Sequence, residues 1–208
     1  MSHLLNIDET LANKVAMALG LKKMPKPADA AVPTRQDLDP SPALSIVEKG
    51  PQRFEGRKLG ILVTEGTEAN LLKALKAALE KAGATFEIIA PHVTGAKASD
   101  GSWIDADQMI DGGPSVLYDA VALLPAATAM DDLLQESTAR DFVADAFAHC
   151  KFIGYVEAAL PLFQKSGISG DDLDEGCTAI DSAKDAKAFV DGLGKLRVWE
   201  REPNVKMP

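Results

Sequence analysis

Cysteine and aromatic residues are scarce in this 208-residue sequence, and each shortage excludes a class of protein. The chain has two cysteines, Cys150 and Cys177, which make no disulfide framework, and no C-x-x-C motif is present. This cysteine usage favours a reducing compartment, so we expect a cytoplasmic location. Aromatic residues make up 5% of the chain. The core is therefore expected to consist mainly of Ala, Val, Leu and Ile.

Basic residues are outnumbered by acidic ones, 22 to 31. The net charge is −9 at pH 7 and the isoelectric point is near 4.8. Nucleic-acid phosphates and anionic membrane surfaces both require Lys and Arg, so neither is an expected partner. No apolar run is long enough to span a bilayer. The first residues lack the basic start and apolar block of a signal peptide.

A short amphipathic helix is predicted over residues 6–20. Asn6 is the expected N-cap, and Gly20 is the expected stop. Leu11, Val15 and Leu19 fall on one face, which predicts a narrow apolar stripe. Such a helix is marginal alone in water, so we expect it to dock on another surface.

Residues 22–56 form a different kind of segment, because six prolines punctuate them. Proline removes backbone donors and fixes φ, which predicts an extended connector. A connector of this length is unusual inside a compact domain and indicates a tether between two bodies.

From residue 57 the pattern predicts strands that alternate with helices. This alternation is typical of an α/β fold with a mainly parallel sheet covered on both faces. The segment 95–113 is expected to form a hairpin and loop excursion. Strands are predicted at 58–64, 85–90, 119–126, 151–156 and 177–181, and helices after the first strand, at 138–150, from about 157, and at 183–194.

The turn after the 151–156 strand is the first candidate site. A strand-to-helix elbow can expose a nucleophile, and here that position holds Glu157. No histidine is near in sequence to serve as its base. The structural interpretation is favoured, in which Glu157 accepts free N–H groups at the start of a helix whose first turn contains Pro161.

The other candidates are weaker. Cys150 follows His149 directly, and adjacent side chains point apart, so a buried inert thiol is the better interpretation. The turn 64–70 contains no phosphate-binding glycine motif, and Thr67 is expected to cap the following helix. The acidic run 171–176 lacks the oxygen ligands of a calcium loop. The three histidines have no zinc-ligand spacing, so no metal is expected.

A family resemblance rests on three stretches in order: HLLNIDETLANKVAMALGL, the tether containing SPALSIV, and GRKLGILVTEG. Together they resemble the C-terminal part of large-subunit monofunctional haem catalases. The resemblance implies that residues 1–21 end the haem-bearing portion and that residues 22–56 are a linker. Residues 57–208 would then form a three-layer, flavodoxin-like domain similar to class I glutamine amidotransferases.

The resemblance also bears on the site residues. In active relatives the elbow holds a cysteine, and Glu157 takes its place here. The supporting acid of those relatives corresponds to Asn70 or Leu71. The proximal haem tyrosine of catalases follows an arginine by four residues, whereas Tyr118 and Tyr155 follow Pro114 and Lys151 at that spacing. Neither an amidotransferase site nor a haem site is therefore expected on this chain.

The resulting expectation is a non-catalytic C-terminal domain of a catalase that converts hydrogen peroxide to water and oxygen. The domain would support assembly, stability or substrate access. Haem would belong to the parent only, and the partners would be the haem domain and the other subunits of a homotetramer. Two alternatives stay open: a chaperone-like module that holds unfolded clients, and a cryptic hydrolase or amidase that uses Glu157 or Cys150.

Overall fold

The structure is a computed structural model that describes residues 1–35 and 37–205. The chain divides into two compact units, one of residues 1–50 and one that begins at Pro51. The first unit holds helix α1 (Glu9–Ala18), a 3-10 turn (Pro42–Leu44) and the short helix α2 (Ile46–Lys49). Residues 23–35 and 37–41 contain no helix or strand.

Helix α1 differs from the sequence prediction at its start and on its buried face. The N-cap is Asp8, whose carboxylate accepts the Leu11 N–H at 2.6 Å. Asn6 instead donates its side-chain amide to the Ala28 carbonyl at 2.8 Å, which holds the two segments together. The buried positions are Ala12 and Ala16 rather than the predicted leucine stripe. Small side chains are buried because they permit close approach, while the larger apolar ones face outward.

The second unit alternates strands and helices as predicted. Its elements in order are β1 (Lys58–Val63), α3 (Ala69–Lys81), β2 (Thr85–Ala90), β3 (Ala96–Lys97), β4 (Trp103–Ile104), β5 (Gln108–Met109), β6 (Ala120–Leu124), α4 (Met130–Leu133), α5 (Ser137–Ala148), β7 (Ile153–Tyr155), α6 (Leu160–Lys165), β8 (Cys177–Ala179) and α7 (Ala183–Gly192).

Six strands form one sheet in the order β5-β2-β1-β6-β7-β8, and each pairing in it is parallel. The strands β3 and β4 make a separate antiparallel hairpin within the predicted excursion. The chain moves from β1 outward to β2 and then returns to β6, so the switch point of the sheet lies between β1 and β6. The flavodoxin-like fold predicted from the sequence is confirmed.

The sheet is covered on both faces, which gives three layers. Leu59, Ile61 and Val63 of β1 pack on one face with apolar residues of α3 and α7. Leu62 points to the other face, where apolar residues of α4, α5 and α6 form a second core. Because both faces of the sheet are buried, the central strands are mainly apolar runs, and such runs can be predicted from the sequence.

Among the described residues, no helix combines the length and apolar character needed to cross a membrane.

Candidate functional site

The elbow after β7 holds Glu157, as predicted, but the side chain does not make the predicted contacts. Glu157 is exposed and begins a 3-10 turn (Glu157–Ala159) that leads into α6. Within residues 1–35 and 37–205, its carboxylate accepts no main-chain N–H. Pro161 lies in the first turn of α6, as expected. The elbow is thus held by backbone geometry and by Ala159, which is fully buried, and not by the carboxylate.

This geometry predicts that Glu157→Ala will change the free energy of unfolding by less than about 0.5 kcal/mol, because it removes an exposed side chain that bonds to no other described residue. The matched control is Glu68→Ala. The Glu68 carboxylate accepts N–H groups of Asn70 and Leu71 at 3.1 and 2.5 Å, so its loss should cost about 1 kcal/mol. Urea titrations of both variants make the comparison. An effect of Glu157→Ala that equals that of Glu68→Ala would show that Glu157 caps the turn.

Cys150 lies at the opposite end of the same strand from Glu157. Six extended residues separate them, a span of about 20 Å, so they cannot belong to one site. Cys150 is buried with a left-handed φ of 55°, and its carbonyl accepts the Val198 N–H at 2.8 Å. Burial raises the pKa of the Cys150 thiol, which disfavours the thiolate. The imidazole Nδ1 of His149 contacts the Asp145 carbonyl instead.

Cys177 begins β8, and it is no better suited to attack. Burial raises the pKa of its thiol to about 11, against the opposing effect of the nearby Arg201 charge. Arg201 Nη2 lies 3.7 Å from the sulfur. The thiol is therefore protonated at neutral pH and serves as a packing contact.

The carboxyl ends of β1, β2 and β6 border an open cleft of about 420 Å³. Glu65, His92, Asp132 and Glu136 are among its lining residues, whereas Glu157 is not. The Glu65 carboxylate accepts the Lys97 N–H at 3.0 Å, which fastens the hairpin to the end of β1. Among the described residues, no hydrogen bond or ion pair joins the His92 side chain to another side chain of the lining.

The turn after β1 is built differently from the prediction that Thr67 caps α3. The N-cap is Glu68, and the Thr67 hydroxyl instead accepts the Thr64 N–H and donates to the Leu124 carbonyl, at 2.9 and 2.8 Å. Thr67 thus joins the ends of β1 and β6 across the switch point. Asn70 donates to Glu68 at 3.3 Å and Leu71 is buried in the core, so neither position supplies an acid to the elbow.

The two tyrosines do not fit a haem ligand. The ring of Tyr118 is buried and its hydroxyl donates to Glu87 Oε2 at 3.0 Å. Tyr155 packs edge-on against Phe163, with ring centroids 5.2 Å apart. Neither has the arginine partner of the catalase pattern. Neither tyrosine therefore matches the proximal-ligand pattern of catalases.

The acidic run 171–176 is used for structure. Asp172 completes a capping box with Ser169, and Asp174 pairs with Arg201. Burial raises the pKa of Asp174, but the Arg201 guanidinium and the Gly176 N–H outweigh it and hold the pKa below its usual value. In the part of the chain that the structure describes, no three His, Cys, Asp or Glu side chains are grouped to hold a metal ion.

Sequence reasoning missed two buried cations near the amino ends of β7 and β8. Lys151 donates to the carbonyls of Ser115 and Tyr118 at 2.5 and 2.6 Å. Arg201 Nη1 donates to the Lys151 carbonyl at 2.9 Å. The network fastens the C-terminal residues and the turn before β6 onto β7. The donor and acceptor residues of these hydrogen bonds are 27 to 54 positions apart in sequence, so no local sequence pattern predicts the network.

Comparison with known proteins adds family evidence to this geometry. A family model described as the C-terminal domain found in long catalases matches residues 55–203. Catalase C from Rhizobium meliloti (strain 1021) is 65% identical over 207 residues, which are 100% of this chain and 29% of that protein. Catalase HPII from Pseudomonas putida is 32% identical over 202 residues, which are 96% of this chain and 27% of that protein. The chain thus spans less than a third of these relatives.

Solved structures of similar shape come from a different group. DJ-1 from Schizosaccharomyces pombe has a TM-score of 0.54 at 14% identity, and covers 73% of this chain and 100% of its own. Oxidized DJ-1 from Toxoplasma gondii has a TM-score of 0.57 at 15% identity, over 72% of this chain and 96% of its own. At such identities the likeness concerns the fold alone.

Proposed function

The chain belongs to the family of C-terminal domains found in long catalases, and we propose that it is the non-catalytic C-terminal part of a catalase that decomposes hydrogen peroxide to water and oxygen. In this proposal residues 1–21 end the haem-bearing portion, residues 22–56 are the linker, and residues 57–208 are the appended domain. Haem is held by the parent outside this sequence, in a cytoplasmic homotetramer.

The observation that carries the proposal is the uneven distribution of exposed apolar side chains. Sixteen large apolar side chains are exposed among the described residues, and eleven of them lie in residues 1–50. Met17, Leu44 and Ile46 are 70% or more exposed. A short segment with this much bare apolar surface is suited to lie against another body. The long catalases supply that body, because more than two thirds of their length lies outside the match.

The candidate sites support the proposal that the domain has a supporting role. The elbow carries an exposed carboxylate without a base, and both thiols have raised pKa values. Chemistry at either end of β7 would need a partner that the described residues do not supply. Assembly, stability or control of substrate access are the functions that such a scaffold can serve.

The chaperone-like and hydrolase alternatives are each less well supported than the proposed function. Nothing in the family comparisons supports a chaperone-like role. A hydrolase or amidase would need Glu157 or Cys150 to meet a general base, and the geometry favours neither. Activity screens with Glu157→Ala and Cys150→Ala variants test the second alternative: activity that either change abolishes would contradict the non-catalytic assignment.

The test of the proposal starts from the coding sequence upstream of residue 1. We expect a haem-domain reading frame that runs into HLLNIDE. The full-length protein should show a Soret band and release oxygen from hydrogen peroxide, whereas the 208-residue chain should do neither. Peroxide turnover by the 208-residue chain alone, with its own Soret band, would overturn the assignment.

A further inference from the structure

Three exposed apolar side chains of the second unit lie at the amino end of the parallel sheet. Val116 and Leu117 form a 3-10 turn (Ser115–Leu117) just before β6, and they are 59% and 54% exposed. Trp199 begins the C-terminal 3-10 segment (Trp199–Asn204) and is 44% exposed.

Hydrogen bonds bring these two segments together with the start of the domain. Arg57, which directly precedes β1, donates Nη1 to Asp119 Oδ1 at 3.0 Å. Arg197 donates Nη1 to the Asp119 carbonyl at 2.9 Å. Asp119 follows the turn of Val116 and Leu117 closely, and Arg197 precedes Trp199 by two residues. We name the surface formed by Arg57, Val116, Leu117, Asp119, Arg197 and Trp199 the amino-end face.

The amino-end face is fixed in shape before it meets any partner. Lys151 holds the carbonyls on both sides of Val116 and Leu117, and Val198 N–H donates to the Cys150 carbonyl at 2.8 Å. Arg201, 1% exposed at its side chain, anchors the segment that carries Trp199. A preformed surface loses little conformational entropy on docking, which favours its use as an interface.

We propose that the amino-end face is the surface by which this domain docks on the haem-bearing portion of the parent catalase, an inference that rests on the proposed function. The occupant follows from the position of the chain junction. The matched model is a C-terminal domain, so the rest of a long catalase precedes it and joins it through the residues before Arg57.

That junction lies on the amino-end face itself, because Arg57 is one of its members. A covalent connection raises the effective concentration of the preceding chain at every surface that the linker of residues 22–56 can reach, and the amino-end face lies where that linker ends. The aromatic and aliphatic side chains with arginines nearby also have the composition of an interface core. In the described part of the unit, the other two large apolar side chains that are exposed are Val93 and Trp103, which follow β2 at the carboxyl side of the sheet and lie away from the junction.

The test compares the two tryptophans of this sequence within the full-length protein by hydroxyl-radical labelling and mass spectrometry. Trp103 and Trp199 are 55% and 44% exposed here, so without a docking partner they should label at rates within about two-fold of each other. If the amino-end face is docked, Trp199 should label at least about three-fold more slowly than Trp103. A ratio below that value overturns the proposal.

Two variants of the full-length protein add a second measurement. Trp199→Gln combined with Leu117→Asn should weaken docking and speed proteolytic cleavage within residues 22–50, whereas Trp103→Gln should not. Equal cleavage rates in both would contradict the proposal. The labelling ratio needs no substitution, so a variant that fails to fold does not affect it.

A full-length protein that binds no haem and releases no oxygen would refute the proposed function, while the labelling ratio still decides whether this face is covered.

Discussion

Replacement of Arg201 by methionine is expected to lower the free energy of unfolding by about 3–5 kcal/mol, because it leaves a partly buried carboxylate and two carbonyls without their cation. Arg201 binds Asp174 through Nε and Nη2 at 2.6 and 2.7 Å. Nη1 reaches the carbonyls of Phe147 and Lys151 at 3.2 and 2.9 Å, and the guanidinium carbon lies 4.2 Å from the centroid of the Phe147 ring.

The matched control is Arg140→Met. Arg140 pairs with Asp141, but the two side chains are 45% and 56% exposed, so the loss should stay below about 1 kcal/mol. Urea denaturation monitored by circular dichroism gives both values. The double variant Arg201→Met/Asp174→Leu should recover part of the loss, since it removes the unpaired charge as well. A loss for Arg201→Met no larger than that for Arg140→Met would show that the buried pair does not hold the C-terminal segment.

The sequence predicted the sheet well because both faces of each central strand are buried. Continuous apolar runs such as 59–63 and 120–124 are then strands by composition, and the helices between them imply parallel pairing. The apolar pattern does not reveal which positions of a strand require glycine, and Gly60 is an example. A β-carbon there would lie 2.4 Å from the Tyr118 ring, a contact that only the folded structure reveals.

The candidate site was less predictable, because it depends on side-chain partners distant in sequence. Glu157 was correctly placed at the elbow, but its predicted bonds to main-chain donors are wrong. Thr67 was predicted to cap α3, but the cap is Glu68, one residue later. The Thr67 hydroxyl donates across the sheet to the Leu124 carbonyl instead. Lys151 resembled an ordinary charged residue before a strand, yet it is 3% exposed. Burial of a lysine requires carbonyls from another segment, and local sequence does not specify them.

Lys151→Met is expected to destabilise the protein, and the loss should grow by about 3 kcal/mol as the pH rises from 8 to 10.5. Burial of Nζ lowers the pKa of Lys151 from 10.5 to about 8. At neutral pH the variant leaves the carbonyls of Ser115 and Tyr118 without donors, which costs about 2 kcal/mol. The pH-dependent part comes in addition.

The sign of the pH effect follows from where the proton is bound. Between pH 8 and 10.5 the unfolded chain keeps the lysine proton while the folded chain has released it, so raising the pH favours the folded state. Each pH unit in this window adds about 1.4 kcal/mol to the free energy of unfolding of the unsubstituted protein. Cys177 acts in the opposite direction above pH 9, because its pKa is raised to about 11 in the folded chain.

The measurement therefore uses the difference between the unsubstituted protein and the variant, in which the contribution of Cys177 is common to both and cancels. Urea titrations at pH 7.5, 9 and 10.5 should give a difference that increases with pH. Lys73→Met, which removes an exposed lysine of α3, should give a small difference that is constant over the same range. A difference for Lys151→Met that stays constant from pH 8 to 10.5 would mean that the buried ammonium keeps its proton, with the two carbonyls compensating fully for lost water. The lysine beneath the amino-end face would then keep its charge up to about pH 10.5.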